Sequence, residues 1–135
     1  MLQLRMLRIK TKLAMSKLHG IGLFAAEFIP KGTITWQYDP EFDIAFSEDM
    51  FKKIPKNVLD QFMKYSYYDH ELKKYILCSD DQRFINHSTH YNINSSPRKD
   101  VALRDIKKGE ELTCDYTHYE YDWFERRGIN RELFK

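Results

Sequence analysis

The stretch "RFINHSTHYNINSSP", residues 83–97, decides how the rest of the chain reads. Polar and charged side chains crowd here around few large apolar ones, Phe84 and Ile85 leading them. Three asparagines, Asn86, Asn92 and Asn94, precede Ser95-Ser96-Pro97. A strand or helix that buries one face shows an apolar period of about 2 or about 3.6, and neither persists past the first residues. Polar groups this dense in mid-chain form either a surface loop, with Asn and Ser bonding to local backbone, or a site for a polar ligand. His87 and His90, with Cys78 and Asp80 upstream, also raise a metal reading. The second pair of strong ligands that zinc needs is not there, so no metal is expected.

The bulk of the chain narrows the choice. At 135 residues, 42% hydrophobic and 15% aromatic, residues 1–135 read as a single folded domain, and disorder is excluded. Nine tyrosines suggest walls that are apolar on one side and hydrogen-bonding on the other. A net charge of +2 gives no reason to expect direct nucleic-acid binding. No apolar run approaches the ~20 residues of a membrane span. Cys78 and Cys114, the only cysteines, make no disulfide framework, which points to a reducing compartment, cytoplasm or nucleus.

Upstream, no Asp or Glu occurs before Glu27, while Arg5, Arg8, Lys10, Lys12 and Lys17 are basic. That bias fits a mitochondrial presequence. It also fits a first strand, because "LRIKTKLAM" alternates Leu7, Ile9, Thr11 and Leu13 against Arg8, Lys10 and Lys12. Pro30-Lys31-Gly32 reads as a turn before a strand in "TITWQY". From Ser47, an N-cap, apolar residues recur at helical spacing from Met50 to Met63, with Pro55 interrupting or restarting the helix. "KKYILCS", "VALRDI" and "ELTCDY" read as strands, and the tail as a short helix. Many short strands with one helical insert predict a mostly-β (α+β) fold.

Two further segments carry local chemistry. "HGIG", residues 19–22, offers glycines where backbone amides approach a ligand closely, or a plain turn. "GEELTCDY" reads as a turn and strand ending in Tyr116, or simply as a hairpin with an aromatic edge.

In combination and in this order, HGIGLFA, RFINHS followed by Asn92, and DIKKGEELTCDY closely resemble the SET-domain family of protein-lysine methyltransferases, over residues 7–123. The resemblance implies a β-clip of small curved sheets with a C-terminal pseudoknot. It implies S-adenosylmethionine as cofactor, held by His19, Gly20, Ile21 and Gly22, by Asn86 at its amino group and His87 at its adenine, with Arg83 and Phe84 lining the pocket. Tyr65 stands where the family often has a cofactor-contacting tyrosine, though helix-end packing explains it equally. Tyr116 matches the catalytic tyrosine. Tyr38 resembles the tyrosine that walls the lysine channel, unless it is an aromatic on a buried strand, and Tyr67, Tyr119 or Tyr121 would complete the wall. Cys114 occupies the position that governs how many methyl groups are added. The implied partner is a basic protein or peptide presenting a lysine, histone-like or ribosomal. A noncatalytic peptide-binding relative and a methyltransferase acting on another residue are the competing functions.

Departures from the family pattern are equally visible. No cysteine follows Cys114, so the zinc segment of many relatives is missing and the aromatic tail, residues 117–135, is expected to close the site. Thr89 stands where relatives often carry Cys, and the short span from Asn92 to Val101 suggests a trimmed peripheral strand.

Overall fold

The computed structural model describes residues 5–134, so residues 1–4 of the basic amino-terminal stretch and residue 135 lie outside the described residues. Small sheets dominate. One has four strands in the order β1 (Met6–Leu7), β4 (Ile34–Gln37), β10 (Lys99–Ala102) and β9 (Ile93–Ser96). A hairpin pairs β2 (Thr11–Met15) with β3 (Ile21–Ala25), and a third sheet runs β5 (Ile44–Phe46), β7 (Lys74–Leu77), β6 (Ser66–Asp69). The last pairs β8 (Asn86–His87) in parallel with β11 (Thr113–Cys114), which brings the two motif segments side by side.

The amino-terminal strand expected from alternation is two strands in two sheets. Met6 has a positive φ of 81°, and Arg8 donates its N–H to the Thr35 carbonyl before the chain turns to pair with β3. Leu7 and Ile9 reach the core, whereas Leu13 is 39% exposed, so the alternation buries only its first half.

The helical insert forms as its sequence dictates. The Ser47 hydroxyl accepts the Met50 N–H at 3.3 Å and caps α1 (Glu48–Phe51). Pro55, which has no N–H to offer, stands at the start of α2 (Lys56–Tyr65), where its carbonyl accepts from Val58 and Leu59. Leu59, Phe62 and Met63 pack on Phe51, Tyr68 and Tyr75. The central core gathers Leu23, Ile29, Ile93, Ile106 and Leu112, each contributing roughly 1.5–3 kcal/mol on full burial. The segment between Asn92 and Val101, expected to be trimmed, still forms the β9–β10 hairpin.

Candidate active site

Ser16 organises the glycine turn. Its hydroxyl accepts from Leu18 N–H at 2.9 Å and donates to the Glu111 carboxylate at 2.8 Å. Gly20 adopts a φ of +41°, a region that favours glycine. At Gly22 a Cβ would lie 2.5 Å from a Glu111 oxygen, so any side chain there would displace the Glu111 carboxylate. Asn86 fastens the turn to β8: its Nδ2 donates toward His19 O at 3.0 Å, Ile21 O at 3.3 Å and Glu111 Oε2 at 3.0 Å. Two N–H groups serve three acceptors, so one bond is shared. The Asn86 Oδ1 atom accepts nothing among the described residues and is left for a donor from outside.

His87 is buried and its Nδ1 accepts the Tyr116 N–H at 3.1 Å, which places the imidazole proton on Nε2. Burial lowers its pKa, with Asp115 opposing that shift, so the ring stays neutral at pH 7. Beyond β11, Tyr116 opens a 3-10 turn, and its hydroxyl donates to the Ile85 carbonyl at 2.5 Å. Burial pushes the phenol well above its ordinary value of 10.

Two cavities meet here. The wider, of about 520 Å³, is bordered by His19, Gly20, Lys64, Asn86, His87 and Phe134. The narrower, of about 40 Å³, is bordered by Tyr65, Tyr67, Arg83, Ile85, Asp100 and Tyr119, among others. Lys64, Tyr116 and Trp123 border both.

The residues singled out from sequence distribute unevenly over this site. His19, Gly20, Asn86 and His87 surround the wide cavity, and Ile21 contributes its carbonyl beneath it. Gly22 packs against Glu111 beneath the turn. Tyr65 and Arg83 fall on the narrow cavity, with the Arg83 guanidinium 3.4 Å from the carbonyls of Cys78, Ser79 and Asp80. Phe84 meets the Tyr65 ring edge at 5.2 Å and borders neither cavity. Tyr67 donates its hydroxyl to Pro97 O at 2.6 Å and packs edge-on against Tyr119 at 5.1 Å, both on the narrow cavity.

Three expected channel residues lie elsewhere. Tyr38 packs on the outer side of the Trp36–Tyr67–Ile76–Cys78 cluster. Cys114 is fully buried in the central core. Tyr121 is 72% exposed and stacks on His70 at 4.4 Å.

Other participants were not read from the sequence. Glu111, the second Glu of "GEEL", joins Ser16 to Asn86, and Lys64 lies 3.9 Å from where a Gly20 Cβ would be. The tail is held by Arg127, which bonds the fully buried Glu120 at 2.9 Å, Met63 O at 2.8 Å and Ser66 O at 3.1 Å. It thereby docks α3 (Trp123–Arg127) against the end of α2. Phe134 then meets the His19 ring at 4.5 Å.

The comparisons agree with this geometry. The family model described as SET domain matches residues 20–117. Apo polycomb repressive complex 2 of Chaetomium thermophilum, with substitutions in its Ezh2 subunit, matches with a TM-score of 0.65 and 28% identity over 88% of this chain. The same complex with histone H3 bearing a trimethylated lysine matches at 0.59 and 27% over 80%. This chain covers only 16% and 14% of those chains. A Plasmodium falciparum protein assigned as a histone methyltransferase matches at 0.59 and 21% identity, over 84% of this chain and 98% of that one, a likeness of fold alone. No curated protein sequence matches. With a glycine turn, an Asn-His-Ser strand and a Tyr-ended partner strand assembled as described, and with the family model spanning most of its length, the chain belongs to the SET-domain family.

Proposed function

We propose that the chain transfers a methyl group from S-adenosylmethionine to the side-chain amine of a lysine on a basic protein. The observation that carries this is the position of Tyr116, which with Trp123 borders both the wide and the narrow cavity. The wide cavity, about 520 Å³, falls within the roughly 300–1,000 Å³ of small-molecule sites. Its donor set fits the cofactor: the open Asn86 Oδ1 suits an ammonium, Lys64 suits a carboxylate, and Gly20 leaves backbone accessible. His19 and Phe134 offer aromatic faces.

When bound, the cofactor supplies a methyl group on a positively charged sulfur. The chain's own residues then have to align and dry the acceptor. Tyr67, Tyr116, Tyr119 and Trp123 enclose an alkyl stem with their rings. A lysine with an ordinary pKa near 10.4 enters mostly protonated and must lose a proton before its nitrogen attacks. An apolar aromatic wall favours the neutral amine.

The histone H3 seen with the similar complex supports a protein substrate, with histone-like and ribosomal proteins the first to try. Titration calorimetry of the purified chain with S-adenosylmethionine tests the cofactor assignment. One saturable site is expected. Absence of heat would favour a peptide-binding module without catalysis.

A further inference from the structure

The narrow cavity contains a group that the aromatic wall does not explain. Asp100, on β10, is 2% exposed and is the carboxylate among the residues bordering that cavity. The Gln82 amide, also buried and bordering it, donates to Asp100 Oδ2 at 2.6 Å. Trp36 borders the same space at 2% exposure, and its indole N–H has no hydrogen-bond partner among the described residues. Ser95, directly across from Asp100 in the β9–β10 register, brings a buried hydroxyl to the carboxylate. Polar groups in a dry interior are normally paired, and a carboxylate there is costly without a cation. A space of about 40 Å³ holds about one water or one ammonium.

The hydroxyls around it are committed. Tyr116 donates to Ile85 O and Tyr67 to Pro97 O, and burial pushes both phenols well up, so neither offers an anion. The Cys78 thiol and Tyr119 phenol, which border the cavity, and the Cys114 thiol beside Tyr119 are all raised by burial and neutral at pH 7, and the Tyr65 phenol completes the titratable lining. Arg83 and Lys64 are the cations at the cavity, and Asp43 and Asp69 act on Tyr67 from beyond it. An ammonium entering this space therefore meets one anion.

We propose that Asp100 accepts the proton of the substrate lysine in the narrow cavity, with Gln82 holding its carboxylate in place. This rests on the lysine-methylation reading above. One N–H bond of the ammonium breaks and one O–H bond forms on Asp100. The electron pair stays on nitrogen, converting ammonium and carboxylate into neutral amine and carboxylic acid, and no further reactant is needed. The proton passes to water when the product leaves. Burial pushes the Asp100 carboxyl up to about 7, opposed by the Ser95 hydroxyl and the Gln82 amide, and a base near the working pH transfers protons most effectively.

The test compares wild type and Asp100→Asn, both confirmed folded by circular dichroism and loaded with S-adenosylmethionine. Single-turnover methylation of a lysine-rich histone-tail peptide is followed from pH 6 to 10. The wild-type rate is expected to level off above about pH 7, whereas Asp100→Asn should be at least about tenfold slower at pH 7 and recover steadily toward pH 10. Profiles of the same shape would overturn the proposal and leave the methylation reading intact. No transfer by the wild type at any pH would overturn both. Gln82→Leu supplies a second reading if Asp100→Asn does not fold: losing the amide donor should move the wild-type rise to higher pH, and an unmoved rise would overturn the proposal.

Discussion

The Tyr116 hydroxyl donates to the Ile85 carbonyl at 2.5 Å, and this bond ties the carboxy-terminal segment to the residue just ahead of Asn86. The ring thereby stands between the wide and narrow cavities. Tyr116→Phe keeps the ring and loses the hydroxyl. Single-turnover methyl transfer is expected to fall by roughly 10²-fold, while cofactor affinity by calorimetry changes little. Wild-type turnover in the variant would make Tyr116 a packing residue.

Asn86→Ala should weaken cofactor binding by about 1.5–3 kcal/mol, the worth of a hydrogen bond to a charged group. It should also lower the melting temperature, because the same side chain staples His19 and Ile21 to Glu111. Calorimetry and thermal melting on one preparation check both expectations. Unchanged affinity in a folded variant would remove Asn86 from the site.

Removing the Arg127 guanidinium leaves the Glu120 carboxylate buried without its principal partner. Arg127→Met is expected to cost about 3–5 kcal/mol in urea denaturation. The double variant Arg127→Met with Glu120→Gln should be less destabilised than the single one, since the stranded charge is gone. Equal losses would show that packing, rather than the ion pair, holds α3.

Cys114→Tyr is expected to destabilise the fold by about 1–3 kcal/mol through overpacking, because Cys114 sits in the central core. Under the proposed reading, Tyr67 and Tyr119, which border the narrow cavity, would bound the room for added methyl groups. Tyr119→Phe should therefore raise the share of dimethyl- and trimethyl-lysine in mass-resolved time courses. An unchanged product distribution would place the limit elsewhere.

A carboxyl raised to about 7 from its ordinary 3.8 disfavours the ionised folded state. The stability present at acid pH is then lost as pH rises through about 7. Asp100→Asn removes that loss, so the melting temperature of the variant relative to wild type should climb from pH 4 to about 8 and then stay level. A constant offset across that range would mean that Asp100 titrates near its ordinary value.

Much of this arrangement was legible along the chain because it depends on local chemistry. Ser47 and Pro55 mark helix starts whatever surrounds them, and the motif segments carry glycines and amides at short spacing. The burial of Cys114 was not legible, because the resemblance gives a position along the chain and not what packs around it. Here β11 ends at Cys114 and Tyr116 begins a 3-10 turn, so Cys114 is enclosed in the central core while Tyr116 and Tyr119 pack over it. Tyr121 turns outward because His70, far away in sequence, offers it a stacking partner. Glu111 and Arg127 escaped notice for the same reason: their partners, Ser16, Met63 and Ser66, are brought near only by the fold. The amino-terminal strand looked continuous because its alternation runs unbroken through residues 8–10, where the chain changes sheets.

The central claim is methyl transfer to lysine, and mapping the product tests it most directly. The purified chain is incubated with S-adenosylmethionine and a mixture of core histones and ribosomal proteins, and the products are fragmented and sequenced by mass spectrometry. Methyl groups mapped to lysine side chains, formed by the wild type and sharply reduced with Tyr116→Phe, are the predicted result. Absence of added methyl groups despite demonstrated cofactor binding, or methylation confined to another residue type, would contradict the account.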